Sequence, residues 1–199
     1  MVMALGAAGL WYLGFFAGTP APVAEDSASQ TPTLQTYASS TLGYSLSYPA
    51  GYQPNEAYQY KGFPNKPIAG VSFSVPISIA TGTNLMSDSR ISVEQLPRAV
   101  NCTADIYVTG SVVARQVTEG GTTYSVATTS EGAAGHAYTE YVYAYPNSKP
   151  CTAVRYFLHS GNIGGLADGS SVREYDRAAL LLQFNAIRDS LTFATAPTP

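Results

Sequence analysis

Apolar and polar side chains alternate along most of residues 43 to 159, the period expected of half-buried strands. Tyr44, Leu46 and Tyr48 share one face against Ser45 and Ser47, and Pro49-Ala50-Gly51 then turns the chain. Val71, Phe73, Val75, Ile77 and Ile79 repeat the pattern against Ser72, Ser74, Pro76 and Ser78, with Pro76 placing this strand at an edge or a bulge. Further strands are predicted over 89–96, 112–118 and 122–129, the last two joined through Glu119-Gly120-Gly121 as a hairpin. Residues 136–145 and 150–159 flank Pro146-Asn147-Ser148-Lys149, so the simplest register is a second hairpin with Tyr145 across from Pro150. That register sets Glu140 opposite Arg155 and His136 opposite His159. Tyr141, Tyr143, Val154, Tyr156 and Leu158 then share the other face, which is the expected core.

The period changes after the glycine-rich stretch 161–170. Ala178, Leu180, Leu181, Phe184, Ile187 and Leu191 form a helical stripe, and Ser171-Val172-Arg173-Glu174 matches a capping box, so a helix is predicted over about 172–190. A short strand is expected after Thr192. The expected class is α+β: a central antiparallel sheet with a helix packed on it, preceded by an N-terminal hydrophobic helix.

That leading segment is Met1 to Gly18, without one charge. As a helix it spans roughly 27 Å, close to a bilayer's hydrocarbon core. It is expected to be an uncleaved transmembrane anchor rather than a cut secretory signal, since no Lys or Arg precedes it and Pro22 spoils a cut after Ala24. Residues 19–40 hold three Pro and many small polar residues and are expected to be a flexible linker, leaving the domain at 41–194 and a tail at 195–199. This organisation predicts a single-pass protein of the cell membrane, with the folded part periplasmic or on the cell surface.

Charge and cysteine content narrow the function classes. Ten Lys+Arg against 13 Asp+Glu give a net charge of -3, which supplies no footprint for nucleic acid. The two cysteines, Cys102 and Cys151, are expected to form a disulfide in an oxidising compartment, closing a loop of about 50 residues worth roughly 4 kcal/mol.

The opening run Gly43-Tyr-Ser-Leu-Ser-Tyr-Pro-Ala-Gly-Tyr52 resembles the first strand and turn of PsbP-like domains. The closing run Phe184-Asn-Ala-Ile-Arg-Asp-Ser-Leu-Thr-Phe193 resembles their last helix and final strand. The stretch from Glu140 to Ile163, with Val142-Tyr143-Ala144 and Ala153-Val154-Arg155-Tyr156-Phe157, is similar to membrane-anchored bacterial members of that family. The resemblance covers roughly 41 to 194 and implies an α/β sandwich on a central antiparallel sheet, used for binding or assembly rather than catalysis. Its motifs are core patterns and carry no chemistry.

The sharpest polar constellation is His136, His159, Glu140 and Arg155 on one face of the second hairpin. Two imidazoles on adjacent strands with a carboxylate could hold a divalent metal, and a metal-assisted hydrolase using His136 and His159 is the alternative function. The plainer expectation is a surface Glu140–Arg155 ion pair beside two ordinary histidines, so no cofactor is expected. No G-x-S-x-G occurs, and a triad of either histidine with Asp105 or Asp168 would need an accident of folding. The loop from Gly161 to Ser171 lacks the Lys of a phosphate-binding loop and reads as a flexible connection. Tyr52, Tyr58, Tyr60 and Phe63 are candidates for protein or glycan contacts, against the plainer expectation that their rings cap the sheet. The expected function is therefore a membrane-anchored extracytoplasmic binding or assembly domain, with an unknown protein or cell-envelope partner. A polymerising cell-surface subunit is a further alternative.

Overall fold

The computed structural model describes residues 33–165 and 171–194. The expected anchor at 1–18, most of the linker and the tail lie outside the described residues, and among the described residues no helix is long and apolar enough to cross a membrane.

Eleven strands and two α-helices are seen among the described residues. Strands β1 (Leu34–Ser39), β2 (Tyr44–Pro49) and β11 (Thr192–Phe193) form a small antiparallel sheet in the order β1-β2-β11. A large antiparallel sheet of eight strands runs β3 (Gln53–Asn55), β5 (Ile68–Ser74), β6 (Arg90–Leu96), β10 (Cys151–Gly161), β9 (His136–Tyr145), β8 (Thr122–Ala133), β7 (Arg115–Glu119), with β4 (Gln59–Tyr60) also on β5. The helices are a single turn, α1 (Ile77–Ala80), and α2 (Arg177–Asp189).

This overturns the expected α+β class. The described residues are mainly β, two sheets facing one another, and the one long helix among them fills part of the layer beside the small sheet. Tyr37 and Tyr48 of the small sheet meet Phe73 of the large one at ring-centroid distances of 5.6 and 4.9 Å, and Phe184 of α2 meets Tyr156 at 5.2 Å. Most of the strands follow the expected alternation; what alternation does not record is which sheet a strand joins, and β1, β2 and β11 form a second sheet over the large one where the helix alone was expected.

Several element bounds differ for local reasons. The strand β1 lies in the stretch expected to be linker; it is an edge strand whose only buried ring is Tyr37, too thin a pattern to register. The alternation from Val71 to Ile79 breaks at Pro76, where the chain leaves β5 and coils into α1. The expected capping box is not used: Asp176 caps α2, accepting the Ala179 amide at 2.9 Å, while Arg173 bridges to Thr83. The β7–β8 hairpin does close on Gly120 and Gly121, both at positive φ (56° and 82°), with Glu119 paired to Thr122.

The β9–β10 register is offset by two residues from the simplest one. Tyr145 pairs with Thr152, Glu140 with Phe157, Tyr138 with His159 and His136 with Gly161. The cause lies in the loop, where Ser148 Oγ donates to Tyr145 O at 2.8 Å and accepts from the Thr152 amide at 2.9 Å. That bridge takes the place of the first ladder rung. An offset of two leaves every side chain on its expected face, so the aromatic face is core as anticipated. Tyr145, Val154, Tyr156 and Leu158 are buried in it, with Tyr141 and Tyr143 packed at its margin.

Candidate functional site

The opposite face of the large sheet carries the chemistry. Across its middle run Ser72, Ser92, Arg155, Val142 and Ala127, one from each successive strand, and beside them Gly70, Glu94, Ala153, Ala144 and Ser125. Small side chains here leave room for covering segments. Gly70 is required: a Cβ at that position would sit 2.2 Å from Val93 O. Its amide instead donates to Tyr58 O at 3.2 Å, bringing β4 down onto the sheet.

Under that cover lies Arg155, 0% exposed. Its Nε and Nη2 donate to the two carboxylate oxygens of Glu94, also 0% exposed, at 2.8 Å each. Its Nη1 donates to Glu140 Oε2 at 2.5 Å and its Nη2 also to Tyr107 O at 2.7 Å. Tyr58 and Ser92 hydroxyls donate to Glu94 Oε1, Tyr60 donates to Glu140 Oε2, and the Tyr60 ring lies 3.5 Å from the guanidinium carbon. Burial by itself would disfavour the Arg155 cation. The charges of Glu94 and Glu140 and the hydrogen bonds to Glu94 outweigh it and hold the guanidinium more firmly protonated than usual. Burial pushes the phenols of Tyr58 and Tyr60 up to about 12 each.

The expected surface pair of Glu140 and Arg155 is therefore a buried three-charge network. The sequence concealed it because Glu94 is 61 residues from Arg155 and occupies a polar position of an alternating strand. The tyrosine candidates are placed the same way. Tyr58 and Tyr60 roof the network and Phe63 packs partly buried against Tyr60 at 6.0 Å. Tyr52 is elsewhere, 1% exposed in the other core and donating to Gln183 Oε1. Tyr52, Tyr58 and Tyr60 are thus buried rings, while Phe63 keeps part of its ring exposed.

One end of this face is closed by the Cys102–Cys151 disulfide, with Cα atoms 5.2 Å apart, and by Tyr107, which donates to Cys151 O at 2.7 Å. The other end is open. Arg90 lies 4.2 Å over the Phe157 ring, the Tyr138 ring stacks on His159 at 4.3 Å, and both rings are half-buried. The histidines are brought together: His159 Nε2 and His136 Nδ1 are 2.9 Å apart, and His159 Nδ1 is 2.7 Å from Asp88 Oδ1. Glu140 is turned inward to Arg155, so the expected trio of His136, His159 and Glu140 is not assembled. Among the described residues no group of three or more His, Cys, Asp or Glu is placed to hold a metal ion. Asp88, which sequence spacing gave no reason to single out, takes the place expected of Glu140. Asp105 sits in a 3-10 turn, Ala104–Tyr107, and Asp168 lies outside the described residues.

A second buried cation stands on the aromatic side. Arg188, 2% exposed, donates to Glu119 and Asp189 at 2.8 Å, with its guanidinium 4.7 and 4.3 Å from the Tyr124 and Tyr143 rings. It ties the end of α2 to β7 and to the sheet beneath.

The fold and the polar face together define a disulfide-closed, mainly-β domain with buried ion networks. No family model matches the chain, and no curated protein matches it. Among solved structures, the chain is similar to a protein of Bacteroides thetaiotaomicron, at 12% identity and a TM-score of 0.45 over 82% of this chain and 49% of that one, so it spans about half that protein's length. It is also similar to the cyanobacterial PsbP of Synechocystis, at 13% identity and a TM-score of 0.43 over 87% of this chain and 99% of that one. Both TM-scores fall below 0.5, too low for either likeness to assign a fold or a function.

Proposed function

We propose that the chain is a binding or assembly domain of the cell envelope that acts without catalysis, through the open end of the polar face. The observation that carries this reading is the contrast along that face. Its central charges are spent on one another beneath Tyr58 and Tyr60, whereas Phe157, Tyr138, His159 and His136 form a run of half-exposed rings beside the Arg90 guanidinium. Aromatic and Arg side chains with little rotamer freedom are what protein interfaces use as anchors. The disulfide supports a location outside the cytoplasm, to which residues 1–18 would tether the chain by spanning the membrane. The partner is a protein or another envelope component, and the net charge of -3 argues against nucleic acid.

A photo-crosslinking residue at Tyr138, compared with one at Val113, which is 91% exposed at another place, tests the surface in living cells. Discrete adducts from position 138 and not from 113 are expected. Equal labelling from both would remove the reading. Alkylation of the chain in intact cells before lysis checks the compartment, where both thiols should be protected until reductant is added.

A further inference from the structure

Asp88, His159 and His136 form an unbroken hydrogen-bonded chain, and each member belongs to a different segment. Asp88 lies on a strap, residues 84–89, that precedes β6; His159 is near the end of β10; His136 opens β9 directly after the β8–β9 turn at Ala134-Gly135. The strap is bound to β10 by backbone, with the Met86 amide donating to His159 O at 2.8 Å and the Gly161 amide to Asn84 O at 2.8 Å. Beyond the β9–β10 ladder, which runs to His136 across from Gly161, the hairpin tip is held by the Asn162 amide to Gly135 O at 2.8 Å and by the imidazole pair. Beside them opens a cleft of about 720 Å³ lined by His136, Asn84, Asn162 and Glu174.

We propose that this chain is an acid-operated latch joining the β8–β9 hairpin tip to the strap. The proton count dictates it. With both rings neutral, His159 donates its Nδ1 proton to Asp88 and accepts at Nε2 from His136 Nδ1. With one added proton, His159 donates from both nitrogens, to Asp88 and to His136 Nδ1, and the chain survives. With a second, two N–H groups and two positive charges face each other across 2.9 Å, and no hydrogen bond can form. The latch opens at that step.

The charged groups around it are Asp88 and Arg90 from the strap side, Glu131 on β8 across from Tyr138, and Glu174 across the cleft, while Arg173 meets the strap through backbone. Of these groups Asp88 alone bonds to an imidazole. The device sits at the proposed contact surface but holds whether or not a partner binds there.

Hydrogen exchange of the full chain in detergent micelles between pH 7.5 and 4.5, corrected for intrinsic rates, tests it. The Asn162 and Met86 amides should lose about tenfold protection on acidification, the size of one hydrogen bond, while the Val154 amide in the middle of β10 should not. His136→Asn replaces Nδ1 with an amide that can donate or accept, so the bond to His159 outlasts protonation and the acid response should vanish. A flat profile in the parent, or the same acid response in His136→Asn, would overturn the latch. Nitrogen NMR of the imidazoles in the parent chain adds a check independent of any substitution: two coupled titration steps are expected, and two independent single-site curves would also overturn it.

Discussion

The two faces of the large sheet are built from the same strands, residue by alternate residue, and are buried by opposite means. On one, Val71, Val93, Val154, Tyr143 and Val126 line up across five strands and meet the small sheet and α2 mainly through apolar contact, with the Arg188 cation at one margin over the Tyr143 ring. On the other, the neighbouring row of Ser72, Ser92, Arg155, Val142 and Ala127 is just as thoroughly covered, but around an ion network. The apolar face tolerates inexact partners, because dispersion and water release have no direction. The polar face does not, because each buried charge must find a specific counterpart or bear its full desolvation.

The largest effects should come from breaking that symmetry of burial. Arg155→Ala leaves Glu94 buried without its cation and should cost about 3–5 kcal/mol, read as a fall in the urea midpoint. Phe184→Ala on the apolar face should cost a similar 3–5 kcal/mol by opening a cavity. The two faces then part on repair: the double replacement Arg155→Met with Glu94→Leu should recover much of the first loss, since no lone charge remains. If the double variant is no more stable than Arg155→Ala, charge pairing is not what holds this face.

A smaller loss, about 2–4 kcal/mol, is expected for Cys151→Ala under oxidising conditions, where the loop between residues 102 and 151 would no longer be closed in the unfolded chain. Thermal melting with and without reductant reads it, and the variant should be insensitive to reductant. Smallest at neutral pH is Tyr60→Phe, about 1 kcal/mol for its hydrogen bond to Glu140. The tyrosine matters more in alkali. Phenols that titrate near 10 in the unfolded chain are raised to about 12 in Tyr58 and Tyr60, so their contribution is whole below pH 10 and is lost as pH climbs from about 10 to 12. The double variant Tyr58→Phe, Tyr60→Phe should flatten that decline; an unchanged alkaline limb would refute the assignment.

Much of the backbone was legible from period alone. Tyr44, Leu46 and Tyr48 do face inward in β2, the Gly120-Gly121 turn forms, and Leu180, Phe184 and Ile187 are the buried stripe of α2. What could not be read was the second cover. Ser92, Glu94 and Arg155 occupy the polar positions of alternating strands, and alternation records residue type, not whether another layer lies above. Burial of a charge is decided by a partner distant in sequence. The cysteine pair was the exception, because two sulfurs admit a single pairing. The histidines were legible as neighbours only because an offset of two keeps both on one face; Asp88, supplied by a loop of no fixed period, left no such trace.

The small sheet has a mechanical consequence. Both β1 and β11 run antiparallel to β2, with Leu34 across from Pro49 and Phe193 across from Tyr44, so the described domain is entered at one end of β2 and left at the other. Those ends are roughly 17 Å apart at about 3.3 Å per residue. Tension between residue 33 and residue 194 therefore drags β1 and β11 in opposite directions past a shared strand, loading their cross-strand bonds in shear. The two-residue ladder of β11, backed by the Ala194 amide on Gly43 O, is the weak link and yields first. The sulfur bridge and the charge network stand outside that line of force.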